Sequence, residues 1–268
     1  MRGITALNNN VSLLFVGHDY FTRFTRLAVA YFTRERYPVR MYHASHTNPL
    51  GNPNVVDILM SQYLKDPVDD GYNYLGKDLY IARMIRVLKM IPTKYIWYIM
   101  PDHFYTTLPP WRVIELDYLP CMDHWSLDQL KLHPFASFPP ENNNSELYNR
   151  HGIIIKYAGG CGYPLAHHAT IYRKEWLLES LRETRAAGGW SNQTHELHYL
   201  YHKAHQVKKV IGDDGIIRAA YVADAEHSVE LVSAIRLGKL TRDGKEFLEK
   251  CEFVEALSLK GINEGEVV

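Results

Sequence analysis

Three cysteines in 268 residues, Cys121, Cys161 and Cys251, form no disulfide framework. No stretch of about 18 uncharged apolar residues is present, so no segment has the length and hydropathy of a membrane-spanning helix. The opening Met1-Arg-Gly-Ile-Thr-Ala-Leu lacks the long apolar core of a secretory signal. A reducing cytoplasm is the expected compartment. An excess of charge of one sign is missing too: thirty basic side chains balance thirty acidic ones. That balance argues against a protein whose main hold on nucleic acid is long-range attraction. There is no internal repeat and no low-complexity tract. What is present is ordinary globular material, 46% apolar and 22% charged, enough for one principal core.

Val11 to Gly17 predicts a buried first strand, followed by a helix with Phe21, Phe24, Leu27, Ala28 and Tyr31 at helical spacing and ended by Pro38. Val39 to Ser45 predicts a second strand, completing a βαβ unit. His46 to Asn54 predicts a loop, and a third element is expected near Val55 to Tyr63. Tyr80 to Met90 predicts an amphipathic helix broken at Pro92. Tyr95 to Met100 has no polar alternation, as expected for a central strand covered on both faces. A helix is expected to open at Leu108-Pro109-Pro110-Trp111, and Pro134 to Asn144 to be loop. Ile153 to Tyr157 and Ile216 to Val222 predict strands. Tyr172 to Thr184 and Thr194 to His205 predict helices, as do Val229 to Leu237 and Lys245 to Leu257.

The central strand ends in Pro101-Asp102-His103-Phe104. In open α/β sheets ligands bind outside the carboxyl ends of the strands, so Asp102 is a candidate site residue. His195, His198, His202 and His205 share one helical face, but no glutamate lies between the two histidines that are four apart, which excludes the zinc-protease pattern. Cys161 in Gly-Gly-Cys-Gly and Ser45 lack the flanking pattern of a nucleophile elbow. Arg23, Arg26, Arg34, Arg36 and Arg40 form an N-terminal basic cluster, which reads first as a solvated helix face and second as a candidate phosphate-contacting patch.

These elements and motifs together resemble the nucleotide-sugar-binding half of GT-A glycosyltransferases of the family-2-like group. The polar turn Gly17-His18-Asp19-Tyr20 follows the first strand. His43-Ala44-Ser45 stands where the group has an Asp-Gly-Ser type motif. Pro101-Asp102-His103-Phe104 stands in place of its acidic metal-binding motif. The segment from His168 to Leu177 is similar to the strand whose aromatic-Arg pair, here Tyr172-Arg173, enters a helix. Glu196-Leu197 looks like the acid-Leu pair that supplies the catalytic base.

The resemblance implies an α/β fold, a GT-A-like, Rossmann-type mixed sheet flanked by helices. Residues 1–228 would form the catalytic domain, with a helical appendage at 229–268. It implies transfer of a sugar from a nucleotide-sugar donor to an acceptor hydroxyl, with inversion. Asp102 and Glu196 would be catalytic. Asp19, His43, Ser45, Lys77, Arg83, Asp102 and Arg173 would contact the donor. A divalent cation, Mn or Mg, would be held by Asp102, His103 and the late His227 of Ala223-Asp-Ala-Glu-His. Pro101, His103 and His43 replace acids usual in the group, and hard oxygen ligands suit such a cation, so Lys77 and Arg83 are the alternative means of meeting diphosphate charge. The acceptor would be a glycan or, as in some viral enzymes, a hydroxymethylated base in DNA, which must leave the stack. The competing expectation is a catalytically silent protein of the same fold. A nucleotidyltransferase is disfavoured, because no glycine-rich, lysine- or arginine-bearing loop follows the first strand.

Overall fold

Strand β1 (Asn8–Val16) is buried at every position from Val11 to Val16, the consequence of an apolar run with no alternation. It pairs in parallel with β2 (Val39–Ser45) on one side and β4 (Tyr95–Ile99) on the other. Strand β3 (Val55–Leu59) adds in parallel outside β2. A computed structural model, which describes residues 8–17, 19, 22–62, 77–133, 146–157, 169–186, 219–224, 226–236 and 239–266, extends this start into a nine-stranded sheet. The other members are β6 (Gln129–Lys131), β7 (Glu146–Arg150), β8 (Ile153–Tyr157), β9 (Thr170–Arg173) and β10 (Ala219–Val222). Their order is β3-β2-β1-β4-β9-β6-β10-β8-β7. Strand β9 runs antiparallel between β4 and β6, so the sheet is mixed, as the GT-A-like, Rossmann-type expectation requires.

Helix α1 (Thr22–Arg34) covers one face with Ala28, Val29 and Phe32. Phe32 contacts Phe15, Tyr37, Trp97 and Tyr105, with ring centroids 5.2 to 6.0 Å away. Helices α2 (Lys77–Met90) and α5 (Lys174–Ala186) cover the other face through Met84, Leu88, Leu177 and Leu181. Between β4 and β6 the chain forms α3 (Trp111–Val113), a π-helical turn (Ile114–Tyr118) and α4 (Leu119–His124). Pro120 explains the wide turn: it has no N–H to give the Leu116 carbonyl, and the Leu119 amide bonds back to Ile114 instead.

Several elements depart from expectation. Tyr172 and Arg173 belong to a strand and not to the following helix, because Thr170, Ile171 and Tyr172 fill the slot between β4 and β6. The helix expected over Val229 to Leu237 is two strands. Strand β11 (Glu230–Ser233) pairs with β5 (His103–Thr107), and β12 (Ile235–Arg236) with β13 (Lys239–Leu240). Its apolar positions meet a free strand edge, and pairing outweighs helical spacing. The last predicted helix is two, α6 (Arg242–Lys250) and α7 (Val254–Leu257), with Thr241 as the N-cap of α6. This C-terminal segment packs on the N-terminal half: Phe247 lies on Phe104 and Phe253 on Tyr31. Arg34 sits 4.1 Å above the Phe253 ring, and Arg23 lies over Phe24. These two arginines of the basic cluster thus cover aromatic faces. Cys121 and Cys251 are buried free thiols, and burial pushes Cys121 up to about 12. Cys161, the loop at Pro134 to Asn144 and the histidine stripe lie outside the described residues. No helix among the described residues is long and apolar enough to cross a membrane.

Candidate functional site

The carboxyl ends of β1, β2 and β4 lie on one edge of the sheet, and two aspartates build the loop there. Asp19 accepts from the backbone N–H groups of His46, Thr47 and Asn48 at 2.9 to 3.3 Å and from the Thr47 hydroxyl. Asp57 of β3 accepts from Leu50 N and Gly51 N at 2.9 Å, and from the His43 ring at 2.9 Å. Ser45 Oγ donates to the Asn48 carbonyl, and Gly51 takes the positive φ the loop needs. Five amides of residues 46–51 thus face two carboxylates, which makes the loop a rigid platform.

Burial pushes both carboxyls up, but the hydrogen bonds outweigh it and hold Asp19 and Asp57 below the ordinary 3.8. Burial holds His43 below its ordinary 6.5 despite Asp57. The direct donor contacts expected of His43 and Ser45 need correction: these side chains are 1% and 0% exposed and are engaged in building the loop. Asp57, absent from the sequence-based set, is the partner that takes up His43. Its signal was an acid set inside the apolar run Val55-Val56-Asp57-Ile58-Leu59 and in register with His43.

These shifts fix a pH dependence. Because the folded pKa of His43 is lowered, the unfolded chain protonates first, so this contribution is complete above the ordinary 6.5 and falls as the pH drops below it. The contributions of Asp19 and Asp57 are present above 3.8 and are lost as the pH falls through their lower folded values. The melting temperature is expected to decline below about pH 6.5 and again below about pH 4, with the upper step reduced in His43→Gln. An upper step unchanged in that variant overturns the assignment of a neutral, buried His43.

Arg83, 9% exposed on α2, reaches the same platform, with Nη1 3.4 Å from His46 Nδ1. Burial lowers its pKa, yet a guanidinium stays charged throughout the working range. Lys77 is the first residue of α2. Beyond β4, Asp102 Oδ1 lies 2.8 Å from His103 Nδ1, and both side chains are 13% exposed. An Nδ1–H donated to the carboxylate fixes the ring and places its basic lone pair on Nε2. The Asp102 carbonyl accepts from Ala234 N and Ile235 N at 2.9 and 3.1 Å. Burial, with the Asp102 charge adding to it, drives the Tyr105 hydroxyl far above its ordinary value.

Arg173 is on the opposite edge. Strand β9 runs antiparallel to β4, which sets Arg173 beside Tyr95, at the start of β4, about 13 Å of strand from the carboxyl end. There it donates to the carbonyls of Leu127 and Met122 and pairs with Asp128 at 3.7 Å. Its expected donor contact is therefore corrected to a structural one. His227 does not join Asp102 and His103: its ring lies 2.7 Å from Asp224 Oδ1, and among the described residues the three form no metal-holding group. It belongs with Asp117, Tyr148 and His151 along the far half of the same edge. There Tyr148 donates to Asp117, His151 Nδ1 is 3.3 Å from that carboxylate, and Tyr118 donates to the His227 carbonyl. Burial and the Asp117 hydrogen bond push Tyr148 up to about 12. Apart from His227, this cluster carries no signal in the sequence, because its members are scattered along the chain. Glu196 lies outside the described residues.

A divalent cation needs several hard donors. Among the described residues no group of three or more His, Cys, Asp or Glu is placed to hold a metal ion. Asp102 and His103 face each other, and His227 faces Asp224. The described donor set does not fit such a cation.

No family model matches the sequence, and no curated protein matches it. Among solved structures, S. aureus TarS residues 1–349 in complex with UDP-GlcNAc is 9% identical, with a TM-score of 0.46; the match covers 92% of this chain and 69% of that one. The same protein in complex with UDP is 10% identical, with a TM-score of 0.46 and coverages of 92% and 68%. The full-length S. aureus TarS structure is 11% identical, with a TM-score of 0.39, and the chain spans 41% of its length.

Proposed function

We propose that the chain is a nucleotide-sugar-dependent glycosyltransferase of inverting type. The observation that carries this reading is the convergence, at the carboxyl edge of β1, β2 and β4, of the amide-built platform, the buried Arg83 and the Asp102–His103 pair. Such a crevice is where open α/β sheets bind nucleotides. Transfer requires a cradle for the nucleotide, compensation of diphosphate charge and a base for the acceptor hydroxyl. The platform at residues 46–51 supplies the cradle, with Asp19 and Asp57 as its supports. Arg83, joined by Lys77, meets the diphosphate charge. Asp102, steadied by His103, orients a hydroxyl of the donor sugar, and Glu196 is the proposed base. The acceptor, a glycan or another hydroxyl-bearing molecule, would enter along the half of the edge that holds His151 and His227.

The test is a thermal-shift screen of the whole chain with UDP-, GDP- and TDP-sugars, each with and without Mg or Mn. A donor at about a hundred times its Kd is expected to raise the melting temperature by roughly 5 to 10 °C. Arg83→Gln should remove most of that shift. No shift from any donor overturns the reading. A catalytically silent binding protein is the second reading, favoured by Pro101 and His103 at the positions of usual acids and by the inward-facing His43 and Ser45. It predicts the donor shift without turnover.

A further inference from the structure

Helix α6 lies behind the Asp102 turn with its backbone pressed against another backbone. A Cβ placed on Gly244 would meet Ala234 O at 2.6 Å and Ala234 Cα at 2.8 Å, distances that real Cβ atoms do not adopt. The obstacle is main chain, so no side-chain rotation relieves it. Ala234 is fully buried, and its peptide is held from two sides. Its carbonyl accepts from Thr241 N at 2.8 Å, and its amide donates to the Asp102 carbonyl at 2.9 Å. The neighbouring Ile235 amide donates to the same carbonyl at 3.1 Å. Thr241 ties both ends of the contact together: its hydroxyl donates to the Ser233 carbonyl at 2.6 Å and accepts from Gly244 N at 3.0 Å. Ser233 is in turn the register partner of His103. A continuous path of main-chain contacts therefore runs from α6 to the Asp102–His103 pair.

We infer that Gly244 is a positioning residue for Asp102: the close approach of α6 to Ala234, possible only without a side chain at 244, sets where two backbone amides hold the Asp102 turn. The inference rests on the transferase reading where it concerns turnover, and on geometry alone where it concerns the turn. Alanine is the better helix former, so propensity by itself favours the substitution at this helical position. Any loss in Gly244→Ala then arises from displacement of the Ala234 peptide. A small misplacement of a catalytic group transmitted from a distance is enough to lower a rate substantially.

The test compares Gly244→Ala with the unchanged chain by amide hydrogen exchange and by initial rates on the donor selected in the thermal-shift screen. Exchange is expected to rise in the peptides covering 99–104 and 231–235 while those covering 11–16 and 39–45 keep their protection. Turnover is expected to fall about ten-fold or more at a donor KM unchanged within about two-fold. Leu248→Ala, on the same helix and in the apolar cluster that also holds Ala234 and Phe104, is the control; it should lower the melting temperature with a smaller rise in exchange at 99–104 than Gly244→Ala. If Gly244→Ala does not fold, Thr241→Val, which removes the hydroxyl link, should show a weaker form of the same exchange pattern. Unchanged exchange at 99–104, an equal rise in Leu248→Ala, or an unchanged turnover overturns the positioning role. A chain that turns over no donor at all counts against the transferase reading, and the exchange pattern still decides the contact between α6 and the turn.

Discussion

Asp102→Asn is expected to lower turnover by about a hundred-fold or more while donor affinity stays within a few fold. Asparagine keeps the shape of the side chain but removes the charge that faces His103 Nδ1 at 2.8 Å. Two functions are weakened together. The imidazole keeps only a neutral amide acceptor in place of the charged one that fixes its ring, and the donor sugar loses a carboxylate held by a partly buried, preorganised turn. Neither change touches the platform at residues 46–51, where the nucleotide is proposed to lie. Initial rates and donor binding measured on the same preparation separate the possibilities. A fall in affinity with turnover unchanged makes Asp102 a contact used equally in ground and transition states. Turnover and affinity both unchanged remove it from the reaction.

The largest effect on stability is expected at Phe32. Its ring is fully buried and stands edge-on to Phe15, Tyr37, Trp97 and Tyr105, so Phe32→Ala opens a cavity walled by stiff rings from β1, β4 and β5 that have few ways to collapse into it. Large-to-small changes of this kind cost about 3 to 5 kcal/mol. Against a total stability of about 5 to 15 kcal/mol that is a substantial share, and the melting temperature should fall by roughly 10 °C. Val56→Ala, at a half-exposed position of the edge strand β3, should stay within about 0.5 kcal/mol of the parent. A similar loss at both positions would show that the rings around Phe32 close over the gap.

The parallel half of the sheet was legible because its signals are local. Val39–Ser45 forms a strand over the predicted residues, β1 and β4 differ from prediction only at their ends, and Ile153–Tyr157, an antiparallel strand of the other half, was legible for the same local reason. Runs without polar alternation have few alternatives to a sheet covered on both faces. The second half was less legible, because there the partner decides the structure. Gln129–Lys131 has three residues and no strand signature, yet β9 and β10 flank it on both sides. Val232 and Ile235 occur at a helical spacing that the exposed edge of β5 overrides.

The site followed the same division. Asp102 was found from its place after a central strand, because the crevice rule depends only on topology. His43, Ser45 and Arg173 were assigned by motif likeness. Sequence could not say whether their side chains face the crevice or, as for His43 and Asp57, a partner one strand away. Arg173 needed the direction of β9 before its edge of the sheet was known. Of Asp57 the sequence shows only an acid inside an apolar run, and the Asp117–His151 pair depends on a contact between distant segments, which no local pattern records.

The lateral order of the sheet also dictates an order of assembly. Strands β1 to β4 find their neighbours within the first hundred residues, but β6 has none among strands made before it: both its partners, β9 and β10, are synthesised later. At ribosomal rates of about 5 to 20 residues per second, β6 and the outer edge of β4 wait for several seconds before Thr170–Arg173 arrives between them. During that interval the fully apolar edge of β4 is an open template for pairing with another chain. The nascent polypeptide, more than the finished protein, is therefore the species exposed to edge-to-edge aggregation, and slower growth at low temperature or chaperone capture should act on yield at this stage.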